Sequence, residues 1–329
     1  MPGTNAESVD TYRRGERAVC LLIIILLFSS TRTSEGAFKD SFLGAKSMAM
    51  GGAYAALSDD VDGALVNPAG ISMIEDQQIA ATMAALYMGL SDDSFISQNV
   101  VGYAYKYSWI GTLGAVWKRL AAGNLYSENI LALSFGRFSS LYLTKSDKER
   151  RKNFSYGATL KFMSWDSAPT VGSDGRIIED LPGWRGFSFD VGLVFWPSEN
   201  TPVALVLQNV TRPDVASDFS MVRETLPIAA RMGVAAIAEN VTWAMDMILK
   251  EGQLDLRTGL EKRAYGTLFL RTGLSLENLA WGMNFTIGAG YKPSDSVRID
   301  YAFVYPVNTI LNTAGSHRVS VVYNFGSKK

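Results

Sequence analysis

From Gln77 onward the chain alternates between apolar and small or polar positions with period two, the signature of strands with two unlike faces. Between Leu279 and Tyr291 the odd positions are Leu279, Trp281, Met283, Phe285, Ile287, Ala289 and Tyr291; the even ones are Ala280, Gly282, Asn284, Thr286, Gly288 and Gly290. Val297, Ile299, Tyr301, Phe303 and Tyr305 oppose Arg298, Asp300 and Ala302, and Val319, Val321, Tyr323 and Phe325 oppose Arg318, Ser320 and Asn324. The pattern predicts fourteen strands, at 77–88, 96–108, 111–121, 129–141, 153–165, 185–196, 202–210, 227–237, 240–249, 253–262, 266–276, 279–291, 297–305 and 316–325. Each is about ten residues, the length a tilted membrane strand needs. Connections near Trp109, Glu199, Asn240, Tyr265 and Asp295 are tight, whereas Asp166–Gly186, Thr211–Leu226 and Pro306–Ser316 are long. Ser139–Asn153 is long where a short turn is expected. An even strand count with short turns at one end and long loops at the other predicts an all-β, closed antiparallel transmembrane barrel.

The faces are fixed by the charges. The small and polar face carries Lys161, Arg231, Arg257, Arg271, Arg298 and Arg318, and opposite them Asp190, Asp246, Asp255, Glu261 and Asp300. A charge held against lipid at mid-bilayer costs about 2–4 kcal/mol, so this face must line the lumen. The near balance of signs points to paired side chains across the interior rather than to a strongly selective ion pore. A soluble β-sandwich also alternates. It is disfavoured by the Tyr and Trp residues that end the apolar face and by a glycine-rich opposite face that would make a poor soluble surface.

Composition agrees. Of 329 residues 47% are apolar and 19% charged, below the soluble norm of about 25%. With 31 Lys and Arg against 32 Asp and Glu, the net charge of -1 argues against nucleic acid as a partner. One Cys and one His leave no zinc cluster or multi-histidine metal site, and no cofactor is expected. No catalytic residue is expected either: His317 falls on the outward face while Ser316 and Ser320 point inward, so they do not form a nucleophile and base pair. Asp59-Asp60-Val61-Asp62-Gly63 resembles the start of a calcium loop, but the twelfth position is Gly70 rather than Glu.

Ahead of the strands, residues 1–36 read as a signal peptide. Arg13, Arg14 and Arg17 precede an apolar run from Ala18 to Phe28, too short for a spanning helix of about 20 residues, and Ser34 and Gly36 fit a cleavage site before Ala37. Residues 37–75 do not alternate. They hold Gly44-Ala45-Lys46-Ser47-Met48-Ala49-Met50-Gly51-Gly52-Ala53-Tyr54, then Ser58-Asp59-Asp60, then Asn67-Pro68-Ala69-Gly70-Ile71. This stretch resembles the opening of the FadL-type outer-membrane proteins, more closely their PorV/PorQ branch, departing mildly at Lys46, Ser47 and Val66.

The resemblance implies a barrel of about fourteen strands (76–329) whose N-terminal segment (37–75) folds into the lumen as a plug or hatch. Gly44, Met50, Gly51, Gly52, Asp59, Asp60, Asn67, Pro68, Ala69 and Gly70 are its motif residues. Glycines would let backbone approach the wall, Pro68 and Asn67 would set a turn, and Asp59, Asp60 and Asp62 would pair with lumen arginines. The implied location is a bacterial outer membrane, in contact with its lipid, both termini periplasmic. The PorV/PorQ branch implies a secretion or attachment accessory with exported proteins or secretion machinery as partners. The alternative is a FadL-type transporter that passes a hydrophobic ligand from an outer cleft, past the hatch, through a gap in the wall. Ile177, Ile178, Leu181, Trp184, Val307, Ile310 and Leu311 are the outer-loop side chains available for such a ligand.

Overall fold

The computed structural model describes residues 37–38, 44–142, 151–171, 177–179, 183–216, 223–279, 282–310 and 313–326. The predicted signal peptide, part of the long 139–153 connection and the loop residues Ile178, Leu181 and Leu311 lie outside the described residues or have no described side chain, as does Trp281. All fourteen expected strands are present and close into one antiparallel barrel. They are β1 (Gln77–Leu86), β2 (Ile96–Tyr107), β3 (Gly111–Ala122), β4 (Tyr126–Tyr142), β5 (Arg151–Ser167), β8 (Trp184–Ser198), β9 (Thr201–Gln208) and β10 (Ala229–Ile237). The rest are β11 (Val241–Lys250), β12 (Gln253–Ala264), β13 (Leu268–Glu277), β14 (Gly282–Tyr291), β15 (Val297–Pro306) and β16 (Ser316–Phe325). Two short strands, β6 (Thr170–Val171) and β7 (Ile177–Glu179), form a separate ribbon within the long 168–183 connection. The alternation could not foresee them, since two or three residues do not establish a period.

β1 pairs with β16 from Gln77↔Phe325 to Ala85↔His317, which closes the cylinder and sets both ends of the barrel chain at the short-turn rim. Closure leaves no edge, so every strand finds backbone partners without water, as a lipid-embedded sheet must. The ladders β1–β2, β2–β3 and β3–β4 run without register shift. In the barrel, the register shifts between Phe195 and Ser198 of β8. The wall gap that the resemblance implied is not seen among the described residues, where each barrel strand is hydrogen-bonded to both of its neighbours.

The face assignment holds. Met83, Leu131, Leu133, Phe187, Leu205, Leu270, Phe285, Ile287, Val319 and Val321 are exposed on the outside, while Thr82, Ser134, Thr159, Ser188, Ser275 and Thr286 are buried on the inside. Outward aromatics cluster toward the rims, among them Tyr107, Trp109, Phe138, Tyr265 and Phe325 near the short turns. His317 sits outward, its Nδ1 2.8 Å from the Tyr301 hydroxyl, and Ser316 and Ser320 point in.

Residues 44–74 pack against the inward face of the strands. They comprise one short helix, α1 (Ala45–Ala49), and two 3₁₀ turns, Asp62–Leu65 and Pro68–Met73. Asn67 caps the second: its side-chain oxygen accepts from Ala69 N–H, with Pro68 at the first position. Its amide donates to Ala55 carbonyl at 2.8 Å. Two rows of wall glycines receive this segment. Gly136, Gly157 and Gly192 are register neighbours on β4, β5 and β8, and a Cβ on any of them would run into Asn67, Pro68 or the residues just after. Gly259 and Gly273 are neighbours on β12 and β13 and meet Met50 and Gly51 in the same way. Gly51 itself has φ +65°, and a Cβ there would come 2.7 Å from Leu274 N and Thr258 O. A side chain at Gly157, Gly259 or Gly273 pushes backbone from backbone, and one at Gly192 displaces the Asn67 side chain and the Pro68 ring. We therefore expect Gly192→Val to leave the barrel intact by heat-dependent gel migration but to expose residues 44–74 to protease; outward Leu193→Val should change neither.

Candidate functional site

The interior is a polar lattice joining the N-terminal segment to the wall. At its centre Arg231 of β10 and Asp246 of β11 form a buried ion pair at 2.7 Å, with side chains 1% and 0% exposed. The pair also grips the segment. Arg231 Nη2 donates to Gly52 carbonyl at 2.5 Å, and Asp246 Oδ2 accepts from Tyr54 and Ala55 N–H at 2.9 Å each. A second cluster joins Asp60 to Arg298 at 2.8 Å, Arg298 to Asp300 at 2.7 Å, Asp300 to Arg271 at 2.7 Å and Arg271 to Glu261 at 2.6 Å. The Tyr54 hydroxyl lies 2.9 Å from both Asp59 and Asp60. Lys161 pairs with Asp190 at 2.7 Å and Asp255 with Lys250 at 3.5 Å. Arg257 lies opposite Asp246 in the β11–β12 register, and Arg318 reaches Gln98 at 3.4 Å.

All eleven expected lumen charges therefore face inward, and all ten motif residues sit in the described segment. Three expectations need correction. Asp59, half exposed, forms its ion pair with Lys46 at 2.6 Å, within the segment, rather than with a wall arginine. Asp62 bonds Thr82 Oγ1 at 2.9 Å and, among the described residues, forms no ion pair; Thr82 in turn lies 2.7 Å from Ser320 Oγ, which accepts from Ala45 N–H. Of the outer-loop apolar set, the described Ile177 and Val307 are exposed rather than gathered over a pocket, and Trp184 turns into the barrel interior.

Two buried inward charges escaped the sequence reading, Lys118 and Glu128. Both are in phase with small neighbours, Lys118 with Thr112 and Val116, Glu128 with Ile130 and Ala132. The signal was present, but β4 begins at Tyr126 rather than at 129, which left Glu128 outside the strand. Glu128 belongs to an aromatic recess near the long-loop rim. Glu128, Trp165 and Trp184 are cross-strand neighbours on β4, β5 and β8, and Tyr126 stacks on Trp165 with ring centres 6.2 Å apart. Val215 carbonyl accepts from Trp165 Nε1–H at 2.8 Å, and Val215 and Leu226 belong to the same buried cluster. At the opposite rim a cavity of about 430 Å³ lies between the second 3₁₀ turn and β2–β4, lined by Ser72, Lys106, Tyr107, Trp109, Arg137 and Phe138.

No family model matches the chain, and no curated protein matches it. Solved structures do. The TbuX toluene transporter of Ralstonia pickettii superposes with a TM-score of 0.56 at 13% identity, over 85% of this chain and 97% of that one. The TodX toluene transporter of P. putida gives 0.55 at 14%, over 86% and 98%, and a Pseudomonas aeruginosa FadL homologue gives 0.53 at 11%, over 88% and 100%. The chain shares the fold of these FadL-type transporter barrels. The likeness extends over nearly their whole length, so the architecture is common even though few residues are.

Two outcomes are expected at this site. Asp246→Ala strands the Arg231 guanidinium and should cost about 3–5 kcal/mol in urea unfolding from lipid vesicles, whereas Asp246→Asn, which keeps an acceptor, should cost less. Asp62 is held up near 7 from 3.8, first by burial and then by Asp60, with Thr82, Arg298 and Arg318 opposing. Its protonated form stabilises the docked segment fully below pH about 4, and this contribution is lost as pH rises through about 7. Protease resistance of residues 44–74 should fall between pH 5 and pH 8, and Asp62→Asn should flatten that fall.

Proposed function

We propose that the chain is an outer-membrane channel for small hydrophobic molecules, that residues 1–36 direct its export, and that residues 37–75 act as a hatch. The barrel lumen is filled, among the described residues, by a segment that contributes no strand to the wall. Hydrogen bonds, ion pairs and close backbone contacts hold it. It can leave without breaking a ladder, which is what a hatch requires. The observation that carries the reading is the aromatic cluster of Tyr126, Trp165 and Trp184 on the long-loop side of this segment, closed by the Phe38 ring: once that ring leaves, walls with few polar groups suit a hydrophobic solute.

The secretion-accessory role expected first from the branch resemblance has no comparable support. The solved barrels of like fold are described as hydrocarbon transporters and channels, which favours the transporter alternative. The test is uptake of labelled toluene and of labelled oleate by cells lacking their own hydrophobic channels, with and without this protein. Faster entry of either supports the channel. No change for both, together with stoichiometric co-purification of an exported protein, would restore the secretion role. Deleting residues 44–74 should turn a poorly conducting barrel into a large non-selective pore in planar bilayers.

A further inference from the structure

The recess already has an occupant. Phe38 is buried in it, 7% exposed, with its ring 5.9 Å from that of Trp184 in an edge-to-face arrangement. Its backbone N–H donates to Glu128 Oε1 at 3.0 Å, and the same oxygen accepts from the Tyr126 hydroxyl at 3.1 Å. Phe38 therefore spans the row Glu128–Trp165–Trp184, nitrogen on the first and ring on the last. The atoms that make these contacts are a nitrogen, two carbons and a phenyl ring, which is the skeleton of 2-phenylethylamine.

The Glu128 carboxyl stands apart from the other buried acids of the wall. Asp190, Asp246 and Asp300 each have a Lys or Arg within 3 Å. Glu128, 6% exposed, has no such cation within ion-pair distance among the described residues. A buried carboxylate answered only by neutral donors favours a cation or a further donor and disfavours another carboxylate. Phe38 is also held at φ +57°, a left-handed conformation that is strained for a non-glycine residue. Its release relieves that strain, so a ligand that offers the same ring and nitrogen replaces it at little cost.

Building on the channel reading above, we propose that this recess selects aromatic molecules bearing a protonated amine, with Glu128 taking the ammonium and Trp184 and Trp165 the ring, and that Phe38 is the chain's own stand-in for them. The preference runs against carboxylate solutes such as fatty acids.

The experiment is a titration of the purified protein in detergent, read by tryptophan fluorescence and by calorimetry. The probes share one ring: 2-phenylethylamine, ethylbenzene and 3-phenylpropionate. We expect the amine to bind about tenfold more tightly than ethylbenzene, as a charge-assisted hydrogen bond supplies, and 3-phenylpropionate to bind most weakly. Glu128→Gln should bring the amine down to the level of ethylbenzene without moving ethylbenzene, and Phe38→Ala should tighten both. If Glu128→Gln does not fold, Glu128→Asp should narrow the preference in the same direction. An amine preference untouched by either variant, or 3-phenylpropionate binding as well as the amine, overturns the inference. Ethylbenzene binding with no amine preference overturns it too, yet leaves the channel standing. No binding of any probe, even by Phe38→Ala, overturns both.

Discussion

Everything inside this barrel depends on backbone meeting backbone. A fourteen-strand cylinder encloses more space than its own small inward side chains fill, and here that space is taken by a segment whose turns lie directly on the wall. The contact is possible only where neighbouring strands all present glycine. Gly136, Gly157 and Gly192 make one such seat under Asn67 and Pro68, and Gly259 and Gly273 another under Met50 and Gly51. Glycine weakens an isolated strand, so these rows are tolerated because the neighbouring ladders and the seated segment restore the packing.

The charges follow from the same geometry. Once carbonyls and amides of a non-regular segment are brought into a water-poor interior, each needs a partner. Arg231 supplies a donor to the Gly52 carbonyl and Asp246 an acceptor to the Tyr54 and Ala55 amides, while the two neutralise each other. Gln78, Ser155 and Gln208 do the same for Val61, Ala69 and Leu65. The mixed charge of the lumen is therefore a consequence of holding a segment rather than of conducting ions. It also explains why Glu128, whose carboxyl is hydrogen-bonded among the described residues to the Phe38 amide and the Tyr126 hydroxyl, stands out.

The architecture was legible because the period-two alternation is enforced residue by residue: lipid on one side and a polar lumen on the other leave no freedom for a slip of one position. Strand number, face and most inward charges could thus be read from Gln77 onward. What could not be read was which inward charge meets which. Asp59 and Asp62 look equivalent to Asp60 in the chain, and only the bend between Ser58 and the first 3₁₀ turn sends one to Lys46, one to Arg298 and one to Thr82. The aromatic recess was hidden for a related reason. Tyr126, Glu128, Trp165 and Trp184 come from three strands and meet Phe38 from outside the periodic region, where no spacing rule applies.

The pairing of β1 with β16 has a consequence for how the molecule is made. The segment that fills the lumen is synthesised before every strand, and the strand that closes the wall is synthesised last. Ser320 and Arg298, both near the end of the chain, bond Ala45 and Asp60 near its start. The seam Gln77–Phe325 is where enclosure of the segment becomes complete. Ribosomal order and spatial order run in a ring, and the last two strands of the barrel hold a segment made before all of them.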